Sequence, residues 1–358
     1  DISADSTLQF DINGTTSGVL SNGAADTAIM VQDNATIAVG RLVDVRDGQT
    51  YSILNATGAG GGANLTVNAA NLNLTETSAR FDFSLQKTGD QLTAVAEKIT
   101  VGLSENAISM DTSLDEALGT DNELSAALNG IPSQTALNRA YETLDNNAKA
   151  ANVAGALSIH TNTQNVIQTR ISNQLKSYMP GVTGLSAGNM SWAERKAWTE
   201  IFHFRGDQGD LDGFNGYELR TTGASFGLDS VVDGTELDKV LVGAAATYSR
   251  SSSEMNNIDS DVDIDSYQLS LYGALEDGPR FLYGQIAGLY NQYDSQRQVD
   301  VGTVQRYASA DFEGYQFGAN LKGGKTYNHN GVSIEPALSA DYALLHTKDY
   351  TESGAGNA

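Results

Sequence analysis

The chain contains no cysteine, and this absence excludes several classes of protein at once. Disulfide scaffolds, thiolate zinc sites, iron–sulfur clusters and cysteine nucleophiles all require that residue. Basic residues are also scarce, because 21 Lys and Arg stand against 44 Asp and Glu, for a formal net charge of −23. Phosphate-rich partners attract the opposite sign, so we expect no nucleic acid partner.

Long apolar runs are missing as well. The longest, around Val240 to Ala246, is far shorter than the roughly 18 residues that indicate a membrane-spanning helix. Charged residues make up 18% of the 358 positions and proline occurs 4 times, whereas glycine occurs 37 times and tyrosine 15 times. This composition favours β architecture, and any membrane-spanning part has to be a β-barrel.

Residues 1–110 have the pattern of the end of a β-solenoid. Short β-prone runs such as Thr36 to Val39 and Tyr51 to Leu54 are separated by Asn, Asp and Gly, although no strict repeat period is visible. Alternating residues from Phe81 to Gln86, a turn at residues 87–90 and a second run from Gln91 predict a hairpin. Such a hairpin can cover the open end of a solenoid.

Residues 111–180 change to helical spacing. Leu137, Ala140, Tyr141 and Leu144 lie on one predicted helical face, and Ser133 is the candidate N-cap. A second helical stretch runs from about 152 to 178, and its part from 164 to 176 is polar on most sides. We expect that segment to lie in a hydrated surround.

Residues 181–358 follow a period of two. In Val332 to Leu344 apolar residues alternate with Ser, Glu and Asp, so one face of the strand is apolar and the other polar. Long polar connections at residues 206–216, 249–261 and 294–307 alternate with short turns, as in outer-membrane barrels. Periodicity alone leaves open which face points inward. The predicted strands number seven and begin near Trp198, Tyr217, Lys239, Val262, Phe281, Ser309 and Val332.

Several of these segments resemble the autotransporters of type V secretion. They include Trp198 to Phe204, Phe226 to Asp229, Val240 to Arg250, Asp261 to Tyr267 and Ile334 to Pro336, and upstream Tyr51 to Ile99 and Val166 to Leu175. The resemblance implies a mainly β protein with three parts: the autochaperone-like end of a passenger β-helix, a helical linker with a pore helix, and a transmembrane antiparallel barrel. It also implies twelve barrel strands, of which seven are present, so we expect the chain to be truncated.

The same resemblance implies a function in the outer membrane of a Gram-negative bacterium. The barrel would export an N-terminal passenger that is displayed or secreted, and the junction would nucleate the folding of that passenger. The implied partners are outer-membrane lipid, the barrel-assembly and periplasmic chaperone machinery, and the passenger itself. A permanently anchored surface adhesin is the alternative, and a plain porin fits less well because of the solenoid and the pore helix.

The residues themselves predict no catalytic, cofactor or metal site. Asp259, Asp261, Asp263 and Asp265 lack the Gly and Glu of a calcium loop, since Ile264 and Ser270 stand at those positions. The 4 histidines are scattered singly. An enzymatic passenger upstream stays possible. For the pore helix we predict that Arg170 and Lys176 face lumen carboxylates such as Glu335 and Asp341.

Overall fold

The computed structural model describes residues 1–21, 28–57, 65–145, 148–177, 195–211, 215–232, 239–329 and 332–356. Strands predominate at both ends of the chain, and helices occupy the middle. This arrangement confirms the mainly β prediction.

The N-terminal part contains ten strands and one short 3₁₀ helix. The strands are β1 (Thr7–Asn13), β2 (Thr16–Ser17), β3 (Leu20–Ser21), β4 (Ile29–Met30), β5 (Thr36–Val43), β6 (Thr50–Asn55), β7 (Leu65–Thr66), β8 (Asn73–Thr75), β9 (Phe81–Thr88) and β10 (Gln91–Lys98), and the 3₁₀ helix is Ala69–Asn71.

Successive coils of this part stack in parallel. Strand β5 pairs in parallel with β1 on one side and β8 on the other, β3 pairs with β6, and β4 pairs with β7. Thr36 is the partner of both Thr7 and Asn73, so the two coils that it joins differ in length. That unequal spacing explains why the sequence shows no strict repeat.

Strands β9 and β10 form the predicted hairpin at the end of the stack. Strand β10 pairs antiparallel with β6 and with β9, so the hairpin covers the edge of the last long coil. The turn contains Gly89 at φ 60°, a left-handed conformation that glycine adopts without strain. Phe81, Phe83 and Leu92 are almost fully buried and extend the apolar core of the coils into the hairpin.

Four helices follow the hairpin. They are α1 (Glu105–Leu118), α2 (Asn122–Asn129), α3 (Gln134–Leu144) and α4 (Ala148–Ser177). Ser133 is the N-cap of α3, as predicted, because its side chain accepts a hydrogen bond from the Ala136 amide. Helical structure begins at Glu105, earlier than the sequence pattern indicates. None of the helices in the described ranges is both long enough and apolar enough to cross a membrane.

The C-terminal part is a seven-stranded antiparallel sheet with a small hairpin at its side. The sheet has the order β11 (Arg195–Gln208), β12 (Tyr217–Val232), β13 (Lys239–Met255), β14 (Ser260–Asp277), β15 (Arg280–Val301), β16 (Val304–Lys325) and β19 (Ala337–Thr347), and the hairpin is β17 (Tyr327–His329) with β18 (Val332–Ile334). The predicted number of strands is therefore confirmed.

Two of the three predicted long connections are wrong, whereas most of the one predicted at 206–216 does lie between β11 and β12. Residues 249–261 and 294–307 belong largely to strands, and β15 and β16 are joined by two residues only. Accordingly, the sixth strand begins at Val304 rather than near Ser309, and the seventh at Ala337 rather than near Val332, which lies in the small hairpin. Two paired strands continue through polar residues as long as both chains stay extended. Polar composition alone therefore did not indicate a loop.

Candidate functional site

The two faces of the seven-stranded sheet have the reverse polarity of a soluble protein. Large apolar side chains point away from the molecule, and Leu269 is 71% exposed. The opposite face is polar and buried, with Ser225, Thr247, Gln268 and Gln316 all below 5% exposed. An apolar exterior around a polar interior is the pattern of a strand sheet that faces lipid.

A row of tyrosines crosses the outer face at one level. Tyr248 pairs with Tyr267, Tyr267 with Tyr290 and Tyr290 with Tyr315 on consecutive strands, with ring centroids 5.4 to 6.4 Å apart. Tyrosine prefers the boundary between lipid and water, so we take this row as one edge of the membrane band. In β14, the nine residues from Tyr267 to Leu275 match the length of a tilted spanning strand.

Helix α4 lies against the polar face of the sheet, and two glycines make the close approach possible. A Cβ atom at Gly318 of β16 would lie 2.0 Å from the ring of His160, and one at Gly155 of the helix would lie 2.6 Å from Ile264. Real Cβ atoms do not approach other atoms so closely. At Gly318 only glycine leaves enough space for the His160 ring, whereas at Gly155 a side chain would require the end of Ile264 to shift.

Arg170 is the centre of a polar network between α4 and the sheet. Its Nε and one terminal nitrogen donate to the two carboxylate oxygens of Asp229, at 2.8 and 3.1 Å. The Tyr272 hydroxyl donates to the same carboxylate at 3.0 Å, and the Trp198 indole donates to Tyr272 at 2.8 Å. The Arg170 guanidinium also lies 5.7 Å from the centre of the Trp198 ring. A two-pronged pair of this kind fixes the helix in rotation as well as in height.

Three further contacts hold α4 on the two sides of Arg170. Gln164 donates to Asp341 of β19, which also accepts from Asn320, and Gln168 donates to Asn320 at 2.9 Å. At the far end, the Lys239 ammonium donates to the backbone carbonyl of Leu175 at 2.6 Å. A cation at this position satisfies a carbonyl of the last turn and opposes the helix dipole.

The predicted pairing of charges differs from the observed one. Arg170 contacts Asp229 rather than Glu335 or Asp341. Asp341 does face the helix, through Gln164, whereas Glu335 accepts from Thr326 near the short turns. The side chain of Lys176 lies outside the described part of the structure. Sequence reasoning missed Asp229, although its alternation with the outward Phe226 and Leu228 places it on the inner face.

The helix is less polar toward the sheet than its composition indicates. Ile167, Ile171 and Leu175 follow the spacing of one helical face, are at most 1% exposed, and belong to an apolar cluster that includes Trp198 and Leu241. The Gln164 and Gln168 side of the helix contacts polar side chains of the sheet, and the C-terminal end of the helix packs against an apolar patch.

A second buried network joins the β9–β10 hairpin to the helices. Arg80 is 1% exposed and donates to Asp111 and Asp115, both at 2.6 Å, and Lys98 contacts Asp111 at 2.7 Å. Burial acts to raise the pKa of Asp111, but Arg80 and hydrogen bonds from Lys98 and Tyr141 outweigh it, so this pKa lies below its ordinary value. The junction is thus built around basic and acidic side chains that pair with one another.

Comparison with known proteins identifies the sheet. Residues 197–358 match the family model described as the autotransporter beta-domain. These residues belong to that family. The resemblance found in the sequence is confirmed, and the reversed polarity of the sheet is that of an outer-membrane domain. No solved structure matches the chain significantly.

Among curated proteins, the autotransporter beta-domain and its upstream region are similar to outer membrane protein B of Rickettsia. The identity is 24% to the Rickettsia rickettsii protein, over 96% of this chain and 22% of that protein, and 24% to the Rickettsia prowazekii protein, over 96% and 21%. An extracellular serine protease of Serratia marcescens is 25% identical over 45% of this chain and 15% of its own length. The chain thus spans about a fifth of the length of its Rickettsia relatives.

Proposed function

We propose that this chain is the membrane-anchored end of an outer-membrane autotransporter. The beta-domain spans the outer membrane and exports the N-terminal passenger, whose last coils and hairpin lie within residues 1–98. The observation that carries this proposal is a helix of the same chain lying along the polar face of a sheet whose other face is apolar. A chain segment in that position is what remains after the passenger has passed through the lumen.

In this proposal α4 also closes the lumen after export. Its contacts with Asp229, Asp341 and Lys239 lie at three successive levels along the helix, so the segment is fixed along its length. The three-part division at about residues 110 and 180 belongs to the same proposal, and so does the role of the junction as the place where passenger folding begins.

The partners and the chemistry follow from this role. The beta-domain contacts outer-membrane lipid through its apolar face, and we propose that assembly machinery and periplasmic chaperones deliver it there. Among the described residues no group of three or more His, Cys, Asp or Glu is placed to hold a metal ion. We assign no catalytic role to these residues, and any enzymatic activity would belong to a passenger segment upstream.

A labelling experiment tests the direction of export, because these 358 residues contain no native cysteine that would react with the label. Val101, 83% exposed beside the junction, and Asp277, at the turn between β14 and β15, are replaced one at a time in the full-length protein as V101C and D277C. Intact cells are then treated with a maleimide that does not cross the outer membrane. We expect labelling of V101C, and labelling of D277C only after the outer membrane is opened.

The opposite pattern would refute the proposal. If D277C is labelled on intact cells and V101C is not, the helical unit lies in the periplasm and the chain does not export its N-terminal part. Detection of V101C on the cell surface, still covalently joined to the beta-domain, would favour the anchored-adhesin form of the same architecture over a cleaved passenger.

A further inference from the structure

The β15–β16 hairpin continues far beyond the membrane band. From Tyr290 in the tyrosine row to Val301 at its tip it adds eleven residues, on the order of 35 Å along the strand. Residues 350–355 lie beside it, since the ring of Tyr350 stacks on Phe312 at 4.1 Å and Ser353 pairs with Ser309. We call residues 293–312 together with 350–355 the rim platform.

The inner face of the hairpin changes polarity at this level. Within the membrane band it carries Gln285 and Gln316, whereas on the rim platform it carries Val299, Val301 and Val304, each at most 4% exposed. These valines share one core with residues of the three short helices. The helical members of that core include Leu124, Leu128, Leu137, Tyr141 and Leu144.

Arg297 of the rim platform binds the end of α3. It is 5% exposed and donates to the backbone carbonyls of Thr143 and Leu144 at 2.9 and 3.4 Å, where α3 ends. It also forms an ion pair with Glu352 of the platform at 2.7 Å. A fixed cation at the C-terminus of a helix satisfies its terminal carbonyls and interacts favourably with its dipole.

Arg306 binds the beginning of α2 in a similar way. Its guanidinium contacts Asp121 at 2.7 Å, and Asp121 is the N-cap that accepts from the Leu124 amide at 3.0 Å. Arg306 also donates to the backbone carbonyl of Ala355 at 2.9 Å. The arginine holds the capping carboxylate in the orientation that the helix start requires.

The helices depend on this support because of their length. Helix α2 has 8 residues and α3 has 11, and isolated helices shorter than about 12 residues are marginal in water. The hairpin of the rim platform, in contrast, is made of two strands that continue the strand pairing of the beta-domain. The stable surface is therefore the strand hairpin, and the helices gain their structure by docking on it.

We propose that the rim platform is a folding template, on which α2 and α3 are the first exported segments to fold. Arg297 and Arg306 act as its positioning residues. The docked α2 then presents Asn129 to Arg80, and Tyr141 of the docked α3 donates to Asp111 of α1, which also accepts from Arg80. These contacts place the β9–β10 hairpin and, through it, the coils. This inference rests on the proposed export function and adds the surface on which folding begins.

The test follows export and folding separately in the full-length protein in an outer membrane. Heat modifiability reports assembly of the beta-domain, labelling of V101C reports export, and the time needed to acquire protease resistance after pulse synthesis reports passenger folding. The variants are R297Q and R306Q, and the matched control is R250Q, because Arg250 is 57% exposed on the outer face and pairs with Asp263.

We expect both platform variants to acquire protease resistance roughly tenfold more slowly, the effect of losing a charge-assisted hydrogen bond, with assembly and labelling unchanged. R250Q should behave like wild type. Because Arg306 acts through Asp121, the double variant R306Q with D121N should be no slower than the slower of its two single variants.

Two results would overturn the proposal that the rim platform is a folding template. Folding at the wild-type rate in both R297Q and R306Q would show that the helices do not need the platform. Loss of heat modifiability together with folding would show that these arginines serve assembly of the beta-domain instead. If V101C in an otherwise wild-type chain is never labelled from outside, export itself fails, which is a distinct result from slow folding of an exported chain.

Discussion

Replacing Arg170 by alanine should release the helix that closes the beta-domain lumen. The substitution leaves Asp229, whose side chain is 2% exposed, without its cation. Removing one partner of a buried ion pair costs about 3 to 5 kcal/mol, and we take the lower end because the Arg170 side chain is 20% exposed. About 3 kcal/mol corresponds to a roughly hundredfold shift of the equilibrium toward the unplugged state.

Single-channel recording of the full-length protein in planar bilayers measures this equilibrium. We expect R170A to open far more often than wild type, whereas R250A, which removes an arginine from the outer face, should not differ. In the double variant R170A with D229A the lone carboxylate is gone, so part of the closure should return. Equal open probability in R170A and wild type would refute the assignment of Arg170 as the anchor of the plug.

Three other substitutions test separate contacts. G318V should prevent α4 from packing against β16, because even a Cβ atom would lie 2.0 Å from His160, and it should raise the open probability as R170A does. Burial, with Asp82 nearby, raises the pKa of Glu76 to about 8. The variant E76Q should therefore be as stable as wild type near pH 4. As pH rises to 8 it should become more stable than wild type by roughly 1 to 2 kcal/mol, which proteolysis measures. The paired variant T36C with N73C joins neighbouring coils, and its disulfide should block export until a reductant is added.

Each of these expectations has a contradicting result. A wild-type open probability in G318V would mean that the helix does not approach β16 so closely. The sign for Glu76 follows from its raised pKa: the neutral form is favoured in the folded chain, so the stability it contributes is complete below about pH 4.5 and is lost as pH approaches 8. If the stability of E76Q relative to wild type does not increase with pH, the raised pKa of Glu76 is refuted. Full export of oxidised T36C with N73C would show that the lumen passes a closed loop.

Local patterns predicted the local elements well. The alternation in Phe81 to Gln86 predicted the β9–β10 hairpin, and Ser133 predicted the start of α3, because both signals come from neighbours in sequence. The seven sheet strands followed from a period of two for the same reason. The period of two did not predict the reversed polarity, since it is identical for a lipid-facing and a water-facing sheet. The transmembrane interpretation came from the resemblance to autotransporters.

Long-range pairings could not be predicted. Whether Arg170 meets Asp229 or Asp341 depends on the height of the helix in the sheet and on its rotation, and neither leaves a signal in the chain itself. The hairpin extension was mistaken for a loop because its outer face is polar, although Val299 and Val301 continue the alternation. The rim contacts of Arg297 join residues more than 150 positions apart, a distance over which sequence spacing carries no information.

The three contact levels along α4 have a mechanical consequence. A pull on the surface-exposed part of the chain acts along the helix axis, so the contacts at Gln164, Arg170 and Leu175 are loaded together rather than one after another. Contacts loaded in parallel resist a greater force than contacts that are peeled in sequence. The helix therefore resists such a pull through three contacts at once.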